Sequence, residues 1–70
     1  MSHFLPRADA LDEIEQMERK AGSNLERILS AWELDFLESI KGQLADEAKE
    51  GLSPKQTGVL EGMVEKVDNA

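Results

Sequence analysis

The chain has 70 residues, 33% of them charged and 40% hydrophobic, and its fifteen carboxylates against eight lysines and arginines give a formal net charge of −7. That length allows one domain, which buries only about 60% of the surface its unfolded chain exposes; the composition is too apolar for a disordered chain and too charged for a membrane-embedded one. The excess of negative charge repels phosphate backbones, so it argues against direct nucleic-acid binding as the main activity and favours a protein partner with a basic surface. There is no cysteine, which removes disulfides and thiolate metal sites and leaves self-association as the available staple for so small a core. A homo-oligomer, as a dimer, is therefore expected. No apolar run approaches the ~20 residues that span a bilayer, and MSHFLPRADALDE lacks the apolar centre of a signal peptide, so no membrane and a cytoplasmic location are expected.

In chain order, residues 1–8 show no periodicity and read as a flexible tail, with Phe4 and Leu5 ahead of Pro6 placed to pack against the first helix. From Asp9, Leu11, Ile14 and Met17 recur at a spacing of three with Asp12, Glu13, Glu15 and Glu18 between them, the pattern of a short amphipathic helix. Its acidic first turns and its closing Arg19 and Lys20 complement the helix dipole, and Gly22 ends it.

Ser23 or Asn24 can cap a second segment in which Leu25, Ile28, Leu29, Trp32, Phe36, Ile40 and Leu44 follow at helical spacing. Ser30 with Glu33 three residues later makes a second capping box, so the sequence leaves open one long helix or two between Asn24 and Glu50. At ~100° per residue the apolar positions from Ile28 to Leu44 cover about 160°, and Leu34 and Leu37 widen this to roughly 240°. So wide an arc predicts more than one neighbour, either two helices of the same chain or one helix and a second subunit.

In EGLSPKQTGVLEGM, Gly51 stands where a left-handed helix-ending residue is expected and Leu52 where its hydrophobic contact falls. Ser53 then caps the next helix, Pro54 takes its first position, and Gln56 returns a hydrogen bond to the cap. A last helix carries Val59, Leu60, Met63, Val64 and Val67 on one face, weakened by Gly58 and Gly62, and residues 68–70 fray.

These elements predict an all-α fold, a small bundle of three main helices, or four if Ser30 starts a new one, joined by helix-turn-helix connections without strands over residues 9–67. The predicted core is Leu11, Ile14, Ile28, Leu29, Trp32, Phe36, Ile40 and Leu60. Trp32 beside Phe36 has a second reading as an exposed binding anchor, but an aromatic in helical register is more often core. Met17 and Met63 read as gap-fillers.

Chemistry has few candidates. His3 is the only histidine, which excludes histidine relays and multi-histidine metal sites and leaves it a surface residue. Carboxylates such as Asp12, Glu15 and Glu18 sit at helical spacing on outward faces, where solvation rather than acid–base work is their role. With no phosphate loop and no nucleophile beside a base, no catalytic residue, cofactor or metal is expected.

The run WELDFLESIKGQLADEAKEGLSPKQTGVLEGMVEK, Trp32 to Lys66, resembles a short helical module of phage and bacterial proteins, often attached to nucleic-acid-processing enzymes. In that module an aromatic-rich helix with a Trp-Glu start and a Phe-Leu pair leads through a glycine into Leu-Ser-Pro-Lys-Gln and a closing helix. The resemblance covers half of the chain and implies a phage-like origin, hence a host cytoplasm, and a setting among nucleic-acid enzymes; it brings no catalytic residue.

Two functional expectations follow. In the first the protein is a non-enzymatic binding module or inhibitor that sets its acidic face, Asp9, Asp12, Glu13, Glu15 and Glu18 with Asp35, Glu38, Asp46 and Glu47, against the basic groove of a nucleic-acid-processing or defence protein. In the second it is a structural adaptor that pairs with itself through Leu34, Leu37, Leu44, Met63 and Val67.

Overall fold

The computed structural model describes residues 3–70. Along the chain it contains a short strand β1 (Leu5–Pro6), helix α1 (Arg7–Ala21), a 3₁₀ turn (Gly22–Asn24), a single helical turn α2 (Leu25–Ile28), helix α3 (Ala31–Ala45), strand β2 (Gly51–Leu52) and helix α4 (Pro54–Asp68). Three helices of equal length therefore make the body of the fold, as the periodicity predicts, but the expectation of no strands is corrected. β1 and β2 pair antiparallel with Leu5 opposite Leu52 and Pro6 opposite Gly51. Two residues on each strand are too few to show a period of two, so the pattern that finds helices cannot find them.

The strand pair also corrects the reading of residues 3–8 as part of a tail, while residues 1–2 of that stretch lie outside the described residues. Leu5 is buried in the core, whereas Phe4 is about half exposed. α1 begins at Arg7, whose backbone N–H donates to the Glu50 carbonyl at 2.8 Å and whose Nε donates to the Leu44 carbonyl at 2.7 Å. The guanidinium thereby satisfies one of the free carbonyls at the C-terminal end of α3, where a cation is also favoured by the helix dipole.

Gly51 proves to have a different task from ending a helix. α3 has already stopped at Ala45, with the N–H of Asp46 turned back to the Gln43 carbonyl. Gly51 lies in the strand, and a Cβ on it would stand 2.0 Å from the Leu5 carbonyl oxygen and 2.9 Å from the Pro6 Cα. The close approach of two backbones, not a left-handed turn, is what calls for glycine there. Gly22 does end α1 as predicted, at φ +57° with its N–H on the Glu18 carbonyl.

Between Asn24 and Glu50 the chain makes two helices. Asn24 gives no side-chain cap to α2 and none is made from Ser23, so the cap predicted there is corrected. Leu29 turns to an extended conformation and Ser30 takes over. Its Oγ accepts the Glu33 N–H at 3.3 Å while Glu33 Oε1 accepts the Ser30 N–H at 2.9 Å. Ser53 repeats the box with Gln56, at 3.3 and 3.1 Å, with Pro54 at the first helical position.

The core is one cluster fed by both strands and the three long helices. α1 contributes Ala10, Ile14, Met17 and Ala21; α3 contributes Leu37, Ile40 and Leu44; α4 contributes Leu60, Met63 and Val67; Leu5, Leu29 and Leu52 close its ends. Of the predicted core, Ile14, Leu29, Ile40 and Leu60 lie inside and Ile28 and Phe36 are half-buried against it. Leu11 and Trp32 are corrected: Leu11 is 36% and Trp32 62% exposed. On α1 the inner positions 10, 14, 17 and 21 follow the steps of four and three of a single helical stripe, and Leu11 lies ~100° off it. On α3, Trp32 lies ~110° from the middle of the stripe made by Leu37, Ile40 and Leu44.

The same packing corrects the proposed self-association face. Leu37, Leu44, Met63 and Val67 are buried within the protein's own core, and only Leu34 is half-exposed. The wide apolar arc of α3 is divided between α1 and α4 of the same chain on one side and water on the other. Gly62 has nothing within 4 Å of where a Cβ would stand, so among the described residues no neighbouring helix comes close to it.

Candidate protein-binding surface

The sequence-predicted carboxylates do not form one face. Taking ~100° per residue, Asp9 and Glu13 lie on one flank of α1 and Glu18 on the other, with Asp12 and Glu15 pointing away from the core between them. On the α3 flank, Glu18 Oε2 holds Lys41 Nζ at 2.8 Å, and this hydrogen bond keeps the Lys41 ammonium above its usual range. Glu15 holds Arg19 one turn along at 2.6 Å. Both carboxylates are thus committed to cations.

On the α4 flank the arrangement is reversed. Glu13 is half-buried and faces Glu61 of α4, Asp9 and Asp12, with His3 also near. Burial first and then the repulsion from Glu61 and Asp9 push its carboxyl above the ordinary value. Asp12 accepts a hydrogen bond from Gln16 at 2.8 Å, and Lys20 is drawn to Asp68 at 2.7 Å. Glu61 was not singled out from the sequence because its nearness to Glu13 arises from the packing of α1 on α4, which no spacing along one helix encodes.

Asp35 and Glu38 sit on the exposed side of α3 and, among the described residues, take part in no ion pair. Asp46 and Glu47 lie in the exposed turn after α3, where Asp46 Oδ1 accepts the Ala48 N–H at 3.0 Å. Of the fifteen carboxylates, Glu15, Glu18, Glu33 and Asp68 hold ion pairs among the described residues. The others leave the surface strongly negative.

The least water-compatible feature of that surface is on α3. Trp32 and Phe36, four residues apart on one side of the helix, stack with ring centroids 5.7 Å apart and planes 18° from parallel. Glu33, next to Trp32, is 7% exposed and takes Lys66 Nζ of α4 at 2.8 Å. That bond, followed by the Ser30 N–H, holds the Glu33 carboxylate below its ordinary value against the opposing effect of burial. Lys66 also lines a depression of about 620 Å³ with Ile28, Gly62 and Glu65. The depression thus lies between α2 and α4, and the aromatic pair lies on a helix whose exposed carboxylates, Asp35 and Glu38, take part in no ion pair among the described residues.

Among the described residues no three histidine, aspartate or glutamate side chains converge closely enough to hold a metal ion, and no helix is long and apolar enough to cross a membrane. Compared with family models, with curated proteins and with solved structures, the chain matches none.

Proposed function

We propose that the protein is a small acidic, non-enzymatic binding module for another protein with a basic surface. The observation that supports this reading is the charge left over after folding: among the described residues four carboxylates are in ion pairs, while Asp9, Asp12, Glu13, Glu61, Asp35 and Glu38 are spread over rigid helices without one. Fixed negative charge of this kind accelerates encounter with a positive groove and makes the association salt-dependent. The resemblance of Trp32–Lys66 to the phage and bacterial helical module directs the proposal to basic grooves of nucleic-acid-processing or defence proteins, with the module as a phage-encoded inhibitor or modulator. The adaptor reading loses ground because most of its contact residues are spent in the core.

The test is a tagged pull-down from nuclease-treated host lysate, eluted by rising salt, run in parallel with an Asp9→Asn, Asp12→Asn, Glu13→Gln triple variant. The expected result is a basic protein retained at low salt, released as salt rises, and lost with the variant. Retention of the same protein by the triple variant with unchanged salt dependence overturns the use of the α1 carboxylates.

A further inference from the structure

We infer that the Trp32–Phe36 pair is the anchor of this binding surface and that its occupant is an arginine-bearing basic segment of the partner protein. The inference rests on the proposed function and adds where the partner sits and what it presents.

Trp32 is the only tryptophan of the chain, and it is 62% exposed although its helix has a complete inner stripe without it. Single apolar side chains on a surface are ordinary; an indole stacked on a second ring is a preformed platform. Phe36 covers part of one indole face and limits its motion, so little side-chain entropy remains to be lost when a partner docks. Tryptophan is also the side chain most enriched among residues that dominate interface energies.

The charges around the platform select the occupant. Lys66, the cation drawn to Glu33 beside Trp32, is already used. Asp35, one turn from Trp32, takes part in no ion pair among the described residues. A guanidinium fits such a site doubly, since it lies flat on an indole and offers paired N–H groups to a carboxylate, whereas an ammonium does only the part of a point charge. A second copy of this chain fits badly, because a symmetric contact on this patch brings the Asp35 carboxylates of two molecules with a net charge of −7 each toward one another. Nucleic acid meets the same repulsion from its phosphates.

The lone tryptophan makes the intact chain its own reporter. Its emission is expected to be that of a water-exposed indole and to shift and quench on titration with a polyarginine peptide at low salt. A labelled peptide followed by anisotropy should show polyarginine binding more tightly than polylysine of equal length, and Trp32→Ala should weaken the polyarginine complex about tenfold and bring the two peptides level. Asp35→Asn should move it in the same direction by a smaller factor; this fully surface substitution carries the test if circular dichroism shows the tryptophan variant unfolded. Equal binding of both peptides with unchanged indole emission overturns the anchor and leaves the acidic-module reading standing. Absence of binding by either peptide overturns both. An emission shift that instead follows protein concentration alone, with a dimer in sedimentation, replaces the arginine segment by a second copy, and quenching by an oligonucleotide replaces it by nucleic acid.

Discussion

Ser30 and Ser53 open their helices with the same four-residue device, yet the two joints act differently on the fold. At Ser30 the returning side chain is Glu33, nearly buried, which also grips Lys66 in the C-terminal half of α4. At Ser53 it is Gln56, half-buried, whose Nε2 donates to Gln43 Oε1 in the C-terminal half of α3 at 3.1 Å. Each helix start therefore clasps the far half of the other helix, which fixes α3 and α4 antiparallel from both ends. One clasp is charged and the other neutral. The third residue of a local motif decides how strongly a cap becomes a tertiary contact, because hydrogen bonds with an ionised partner are about twice as strong as neutral ones.

The largest way to break the symmetry is Glu33→Ala. It leaves the Ser30 N–H and Lys66 without their acceptor and should cost about 2 kcal/mol, against about 0.5–1 for Gln56→Ala. In a domain of this size each kcal/mol lowers the melting midpoint by about 4–8 °C, so thermal unfolding distinguishes the two. Next comes Lys66→Met, which keeps the apolar stem but strips the cation from a buried carboxylate. Its expected cost is about 1–1.5 kcal/mol and it should disappear in a Glu33→Gln background. Ser30→Ala and Ser53→Ala should then cost about 1 kcal/mol each, since the serine does the same local work in both joints. A clear inequality between the serines would mean that the tertiary clasp depends on the hydroxyl as well as on the third residue.

Acid sharpens the comparison further. Because Glu33 is held below its ordinary value of 4.5 in the folded protein, its contribution is complete above that value and is lost as pH falls through the lower folded one. Stability measured against pH should fall on this acid side, and Glu33→Gln should flatten that fall, whereas the glutamine clasp has nothing to titrate. Glu13 has the opposite sign. Its raised folded value means that stability is lost as pH climbs from 4.5 through that value, so Glu13→Gln should stabilise the protein at neutral pH, by a few tenths of a kcal/mol for a partly exposed like-charge cluster.

Both clasps begin as motifs legible in the sequence, and so do the three long helices and the glycine that stops α1. The rest required packing. Periodicity shows that α3 has apolar residues on two sides but not which side is taken inward; the core used Leu37, Ile40 and Leu44 and left Trp32 in water. On α1 the small Ala10 and Ala21 line the core, and alanine carries too little apolar surface to mark itself as core against Leu11. Gly51 shows the same ambiguity in another form, since a glycine after a helix fits a helix end or a close backbone approach equally well until Leu5 is seen above it. The candidate surface was legible in its chemistry, as acidic residues on helices, but not in its grouping: Glu15 and Glu18 turn out to be paired, Glu61 joins Glu13, and Trp32 moves from core to surface.

The strap formed by Leu5, Pro6 and Arg7 also has a consequence for how the molecule assembles. Its contacts reach Leu44, 37 residues further on, as well as Glu50 and Leu52, so none of them exists until α3 and the turn after it have formed. Closing so long a loop costs chain entropy before these contacts reward it, so they are expected to form after the rate-limiting step of folding, with φ-values near zero at residues 5–7 as the measurement that checks it. They act on the other rate: a chain with this strap loosened should collapse almost as fast as the intact one and come apart sooner, making residues 5–7 a brake on unfolding.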